Sequence, residues 1–210
     1  GQTLGEFSSN NNELVGGLHL NGATGRWGFT GTIIRRSAGN MRAPNVPTSQ
    51  ETEDYSAPRF SGELDHTDYD QLNGSFGIGY QTGIGQISGE YTRWQNNHNF
   101  LLPNGLGLGQ NLENNSLQLE GELDLGNDYT LNPQFTYSQN LRQSNPGGAN
   151  AEPRSELPDD GFAHLDILLN SYTLKNDLKH PAVGPFSGTV GLEYKYQDQA
   201  TRGVEPLVPS

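Results

Sequence analysis

The 210-residue chain carries 12 Lys and Arg against 24 Asp and Glu, which gives a net charge of −12, and it contains no cysteine. The acidity argues against a nucleic-acid partner, because a phosphate backbone needs a basic surface, and the lack of cysteine excludes disulfides, thiolate metal sites and a cysteine nucleophile. Only 31% of the residues are hydrophobic, which is low for one large globular core. The composition therefore predicts either partial disorder or a fold whose interior is not apolar.

Segments in which apolar and polar residues alternate recur along the chain and predict strands, because successive side chains of a strand point to opposite faces. In chain order they are "LVGGLHLNG", "WGFTGTIIRR", "LNGSFGIGYQ", "QISGEYTRW", "LQLEGELDLG", "YTLNPQFTYSQ", "LNSYTLKNDLKH" and "FSGTVGLEYKYQ". In the fourth segment Trp94 is out of phase with Ile87 and Tyr91, whereas the fifth alternates leucines and acidic or amide residues without a break. The chain is thus predicted to form about eight strands of roughly nine to eleven residues, the length with which tilted strands cross a bilayer.

The predicted connections alternate between short turns and long loops. The short ones, "GATGR", "TGIG", "GND" and "HPAVGP", contain the glycine, Asn-Asp and proline residues of tight hairpins. The long polar ones are predicted at Ser37 to Gln71, Gln95 to Asn115, Leu141 to Asp166, and from Asp198 onward. Because loops of this length are uncommon in compact soluble domains, the alternation predicts an antiparallel transmembrane β-barrel segment with short periplasmic turns and long extracellular loops.

Three stretches carry a resemblance to the barrel of TonB-dependent outer-membrane receptors. Residues 170–209, "NSYTLKNDLKHPAVGPFSGTVGLEYKYQDQATRGVEPLVP", resemble a strand with a short His-Pro turn, a G-x-x-G-x-x-Y strand and an outer loop with an apolar-Pro pair. Residues 75–105, "SFGIGYQTGIGQISGEYTRWQNNHNFLLPNG", are similar to paired strands of this family, and "RRSAGNMRAPN" is similar to a segment where its barrels leave the membrane. The resemblance implies a 22-stranded plugged barrel, of which residues 1–210 form one partial barrel domain without the plug, the TonB box or the terminal aromatic strand.

The family resemblance implies a function in the outer membrane of a Gram-negative bacterium. The expected function is TonB-energised uptake of a ferric siderophore first, or otherwise of haem, zinc or another small solute. The expected partners are outer-membrane lipid, the TonB complex acting through the plug, and the solute; no cofactor is implied. Two alternatives are a self-contained small outer-membrane barrel with a structural or adhesive role and a secreted β-sandwich with a carbohydrate-binding face.

Four arginines and two glutamates are the candidates for solute binding. Arg35, Arg36 and Arg42 lie near the predicted outer end of a strand, and Arg93 could join them. The guanidinium fork matches the carboxylate or catecholate oxygens of an anionic iron chelate, although lipopolysaccharide phosphates or no ligand at all are alternatives. Glu120 and Glu122 share the polar face of one predicted strand, where they would line the solute path.

The predicted loops also contain candidate metal ligands, whereas no catalytic motif stands out in the sequence. The stretch "GELDHTDYD" gathers Asp65, His66 and Asp68, and His98 lies near another predicted outer loop. Carboxylates and imidazole suit zinc or a hard divalent cation, but a solvated acidic loop is the favoured interpretation, because the glycine and terminal Glu of an EF-hand loop are missing. No serine lies in a G-x-S-x-G elbow, so the chain is not expected to be an enzyme.

Overall fold

A computed structural model describes residues 1–43, 62–101, 107–146, 165–184 and 186–202. Within these ranges all regular structure is β-strand. The strands are β1 Gln2–Ser8, β2 Glu13–Thr24, β3 Trp27–Ala38, β4 Met41–Ala43, β5 Gly62–Leu64, β6 Tyr69–Gln81, β7 Gly85–Leu101, β8 Gly107–Gly126, β9 Tyr129–Pro146, β10 Leu165–Val183 and β11 Phe186–Arg202. No helix in the described part of the chain is long and apolar enough to cross a membrane.

Nine of the strands form one antiparallel sheet in the order β1-β2-β3-β6-β7-β8-β9-β10-β11, and β4 pairs with β5 beside it. Every neighbouring pair is antiparallel, so the all-β, antiparallel prediction is confirmed. The sheet has one strand more than the eight segments predicted, because β1 has too little alternation to be recognised. Among the described strands, β1 and β11 are the two open edges of the sheet and do not pair with each other.

Several strands are longer than the sequence pattern indicated. β7 and β8 remain paired up to Leu101↔Gly107, so most of the loop predicted at Gln95 to Asn115 is in fact strand. β9 likewise continues to Pro146, and β11 continues to Arg202. The difference has a simple cause: in these extensions both faces carry mainly Asn, Gln and other polar residues, so apolar alternation disappears although the backbone stays extended.

Tight turns join the strands at one end of the sheet, here called the turn end; the opposite end is the loop end. Between β8 and β9, Asn127 and Asp128 have φ angles of 55° and 63°, the left-handed pair that a type I′ hairpin requires. Gly25, with a φ of 58°, follows β2, and Thr82 donates its backbone N–H to the carbonyl of Gly85 at 2.7 Å between β6 and β7. These turns confirm the short connections and fix the register of their strand pairs.

The register sorts the side chains into two faces. Because residues opposite each other in an antiparallel pair share a face, the leucines and aromatic residues of successive strands fall on one side, here called the apolar face. It carries, among others, Leu18, Ile33, Phe76, Ile78, Ile87, Leu117, Leu119, Phe135, Leu174, Leu192 and Tyr194. Within the described residues only Val15 and Ala38 are buried hydrophobic residues. The sheet is therefore a single layer with an uncovered apolar face and an opposite polar face.

Two rows of aromatic residues border this apolar face. Tyr137, Tyr172 and Tyr196 are consecutive partners near the middle of their strands, with ring centroids 4.9 and 6.1 Å apart. The Tyr137 hydroxyl donates to Asn170 Oδ1 at 3.2 Å. At the turn end the rings of Trp27 and Tyr80 lie 4.5 Å apart. The continuous apolar part of this face is here called the apolar band. Aromatic residues border it toward the loop end on β9, β10 and β11, and toward the turn end on β3 and β6.

The length of the apolar band can be measured along β11. On β11 it extends from Phe186 to Tyr196, which is about 34 Å along the strand at about 3.4 Å per residue. At the tilt of roughly 35–45° that is usual in membrane barrels, this distance corresponds to a height of about 25 Å. A height of about 25 Å is also that of the apolar belt in outer-membrane barrels.

Leu119 and Glu120 provide a test of the two faces. Leu119 is 45% exposed on the apolar face, whereas Glu120 is on the polar face opposite Ser88. We expect Leu119→Arg to destabilise the folded protein by roughly 2–4 kcal/mol in lipid vesicles, as for a charge near the bilayer midplane. Glu120→Lys should have a far smaller effect. Urea titration of both variants measures the difference, and equal losses at the two positions would contradict the assignment of the faces.

Candidate functional site on the polar face

A row of hydroxyl side chains crosses the polar face. Six consecutive strands, from β3 to β10 in the order of the sheet, place a serine or threonine at matching register. This hydroxyl row consists of Thr32, Ser75, Thr92, Ser116, Ser138 and Ser171. At its ends, His19 Nδ1 and Thr32 Oγ1 are 2.9 Å apart, and Gln197 Nε2 donates to Ser171 Oγ at 3.0 Å. The row therefore presents the same functional group on every strand it crosses.

The next row toward the loop end contains amides and one tryptophan. Asn73, Trp94, Asn114 and Asn140 are consecutive partners on β6, β7, β8 and β9, and we call them the amide row. Asn114 Nδ2 donates to Asn140 Oδ1 at 2.6 Å. The Trp94 side chain is half-buried, and Asn73 Oδ1 is buried without a hydrogen-bond donor in the described structure. Neighbouring rows on one face are about 6.8 Å apart, so one small molecule can contact both.

Neither row carries a charge. In the described strands the hydroxyl row, the amide row and their extensions onto the flanking strands contain no Asp, Glu, Lys or Arg, and we call the two rows together the neutral belt. Charges return in the adjacent rows on both sides. Arg36 and Arg142 lie toward the loop end, and Glu90 and Lys195 lie toward the turn end. The polar face is thus divided into zones that follow the register rows.

An acidic cavity lies between the neutral belt and the turn end. It has a volume of about 610 Å³, and its lining includes Asn21, Thr30, Ser88, Glu90, Gln118 and Glu120. Gly28, Gly77 and Gly79 also line it. Because glycine has no side chain, the floor of the cavity at these positions is bare backbone. Gln118 Nε2 donates to Glu120 Oε1. On the far side of β9, Lys175 Nζ pairs with Asp177 Oδ2 at 2.8 Å. The two carboxylates that line the cavity, Glu90 and Glu120, belong to β7 and β8.

The loop end of the polar face holds two further clusters, both beyond the apolar band. Arg36 Nε pairs with Glu13 Oε1 at 3.2 Å. Burial, together with a hydrogen bond to Glu13, raises the pKa of Tyr69. The His98 ring packs edge-on against Phe100 with centroids 4.5 Å apart, and burial lowers the pKa of His98, with a smaller effect from Arg142. A lowered pKa favours the neutral imidazole.

The four candidate arginines are not brought together. Arg35 and Arg93 lie on the apolar face beyond the band, where Arg35 Nη2 pairs with Asp70 Oδ2 at 2.8 Å and Arg93 Nη2 pairs with Glu113 Oε2 at 3.2 Å. Arg36 is on the opposite face because adjacent strand residues alternate sides. Arg42 belongs to β4, opposite Glu63. Three of the four guanidinium groups are therefore neutralised by a carboxylate, and the set forms no common anion site.

The candidate acidic and metal-binding residues are also separated. Glu120 and Glu122 are both on the polar face, and Glu120 lines the acidic cavity. Asp65, His66 and Asp68 lie in the bend between β5 and β6, where Asp68 Oδ1 accepts a hydrogen bond from Asn99 Nδ2 at 2.8 Å. His98 instead contacts Asn96 and Phe100. In the described ranges no three His, Asp or Glu side chains are grouped so that they could hold a metal ion.

None of the candidate residues chosen from the sequence belongs to the neutral belt. Its only sequence signal is Trp94, the tryptophan that breaks the alternation of its strand. Comparison with known proteins adds no candidate: no protein-family model matches the chain, and no curated protein sequence matches it. A functional assignment therefore depends on the chemistry of the two faces.

The Arg93–Glu113 pair provides a test of the arginine assignment. Both side chains are partly exposed, and exposed ion pairs contribute about 0.2–1 kcal/mol. We expect Arg93→Gln and Glu113→Gln each to lower the free energy of unfolding by at most about 1 kcal/mol, with a double variant less destabilised than the sum. Raising the salt concentration should reduce the coupling. A double-mutant cycle by urea titration in detergent micelles measures it, and strictly additive losses would contradict the pairing.

Proposed function

We propose that the chain forms part of the wall of a β-barrel in the outer membrane of a Gram-negative bacterium, in a receptor that takes up a small solute with energy from the TonB complex. The observation that carries the proposal is the uncovered apolar band with aromatic borders. In this barrel, the apolar face contacts lipid and the polar face lines the lumen. The role is binding and passage of a solute, with no catalytic step.

Lipid is the environment that suits both faces of the sheet. Large exposed apolar surfaces on proteins are normally covered by a partner or a membrane, and the nine described strands supply no second layer to cover this one. The tyrosine hydroxyls, such as that of Tyr91 on Asn115 Oδ1 at 2.8 Å, direct their polar ends away from the band. Aromatic residues with an apolar ring and a polar tip are typical of membrane interfaces.

The open edges favour a large barrel over a small one. A strand edge in lipid leaves backbone groups without partners, which costs several kcal/mol each, so membrane sheets close on themselves. In the described strands β1 and β11 are not paired with each other. A self-contained eight-stranded barrel requires its first and last strands to pair, whereas a 22-stranded receptor barrel supplies further strands at both edges. The alternative of a small structural or adhesive barrel is therefore less well supported.

The receptor assignment rests on the family resemblance of the strands and turns, together with the polar lumen face. The resemblance implies a ferric siderophore first, then haem, zinc or another small solute. An anionic chelate gains no support from the arginines, because Arg35 and Arg93 are paired with carboxylates on the apolar face. The proposed function at this level is thus uptake of a small solute of unspecified charge.

Two measurements on the protein expressed from its complete gene test this proposal. We expect the protein to fractionate with outer membranes, to need detergent for extraction and to migrate faster on gels unheated than heated, because a closed barrel resists unfolding. We also expect a strain carrying the gene to accumulate a solute from a panel of ferric chelates, haem, zinc and oligosaccharides, and to lose this accumulation when TonB is deleted. Recovery of the protein in the soluble fraction, as for a secreted β-sandwich, would overturn the proposal.

A further inference from the structure

We propose that the neutral belt binds an uncharged saccharide chain, with Trp94 as the stacking surface for a sugar ring. The inference rests on the proposed function, since it names the solute class that the polar face of the barrel wall would recognise. It depends on three properties of the belt: its hydrogen-bonding groups, its aromatic side chain and its lack of charge.

The hydrogen-bonding groups of the belt are matched to hydroxyl groups. A serine or threonine hydroxyl both donates and accepts, and an asparagine amide offers one accepting and two donating positions. A sugar hydroxyl has the same dual capacity, so each contact can be made in either direction. These groups fit a polyhydroxylated ligand better than one that only accepts or only donates.

Trp94 provides the apolar contact that a sugar ring also needs. Its row neighbours are Asn73 and Asn114, and Thr92 and Asn96 share its face of β7. The face of an indole ring carries negative charge density and attracts positively polarised C–H groups. One side of a sugar ring presents such C–H groups, while its hydroxyls project around the edge. A sugar stacked on Trp94 would therefore direct its hydroxyls toward the surrounding amides and hydroxyls.

The lack of charge selects against ionic solutes. An anionic chelate at the belt would meet no cation within its two rows. The adjacent rows hold the cations Arg142 and Lys195, but they also hold the carboxylate of Glu90, and the acidic cavity adds that of Glu120. A compact cation would be drawn to those carboxylates and away from the belt. A neutral solute is neither repelled by the carboxylates nor drawn away to them. The belt therefore recognises it by hydrogen bonds and stacking alone.

The repetition of the row favours a chain of sugars over a single one. The hydroxyl row crosses six strands, and at about 4.8 Å between strands its length is roughly 24 Å. Because each strand offers an equivalent hydroxyl, an oligosaccharide could make similar contacts in several positions along the row. The belt can thus hold several sugar units at once and let them shift by one strand.

Binding to the complete protein in detergent micelles tests the inference by calorimetry. The probes are maltohexaose, cellohexaose and xylohexaose as neutral chains and ferric citrate as an anionic chelate. We expect at least one hexasaccharide to bind and Trp94→Ala to weaken it about tenfold, the effect of losing an aromatic contact of about 1.4 kcal/mol. Trp94→Phe should recover most of this loss. The matched control is Trp27→Phe, at the tryptophan of the apolar face, which should leave saccharide affinity unchanged.

A second pair of variants covers the case in which Trp94→Ala does not fold, as judged by heat-dependent gel migration. Asn114→Ala and Ser116→Ala remove one hydrogen-bonding group each from the two rows, and each should weaken the hexasaccharide about threefold to tenfold. Failure of all three hexasaccharides to bind, equal affinity of folded Trp94→Ala, or ferric citrate binding that depends on Trp94 would each overturn the inference. Such a result leaves membrane location and TonB dependence intact, so the two proposals fail separately.

Discussion

The register of the nine-stranded sheet is the constraint on which the other features depend. Side chains alternate along each strand, so a slip of one residue between two strands would move a whole set of leucines to the polar face. Tight turns oppose this slip, as at Asn127 and Asp128, where two left-handed residues close the hairpin between β8 and β9. The pairing of these strands shifts at one irregularity, between Asp124 and Gly126, and is continuous from Asp124 to Leu123 and from Glu120 to Leu108. The same register that keeps the apolar face continuous also aligns the hydroxyl row. One constraint thus produces both the continuous apolar face and the aligned polar rows.

Much of the fold follows from local sequence, because alternation and turn chemistry are local properties. The opposite placement of Leu119 and Glu120 could be predicted from "LQLEGELDLG" alone, and so could the turn at "GND". The true ends of β7 and β8 could not, since polar residues occupy both faces there and leave no apolar periodicity. In such a segment, strand structure is maintained by backbone pairing with the neighbouring strand, which is a long-range property.

The candidate site was less predictable, because it is defined by contacts between strands. Arg35 and Arg36 are adjacent in sequence and were predicted to act together, but they lie on opposite faces. Arg35 pairs with Asp70 and Arg36 pairs with Glu13, on different strands. The hydroxyl row could not be found by reading any one segment, since each strand contributes a single common residue to it. Trp94 was the one visible anomaly. Only the register shows that its row neighbours are amides and that the adjacent row consists of hydroxyls.

The division of the polar face into zones is stronger than wetting alone requires. A face that merely contacts water accepts Lys and Glu as readily as Ser and Asn, and charged side chains do occupy the rows on either side of the neutral belt. Their absence from two adjacent rows across the described strands therefore reflects a demand specific to these two rows. Repeated small hydroxyls leave room above the sheet, whereas Trp94 fills part of it with an apolar surface. A polyhydroxylated chain satisfies both conditions at once, because its polar edges and apolar ring faces lie in the same molecule.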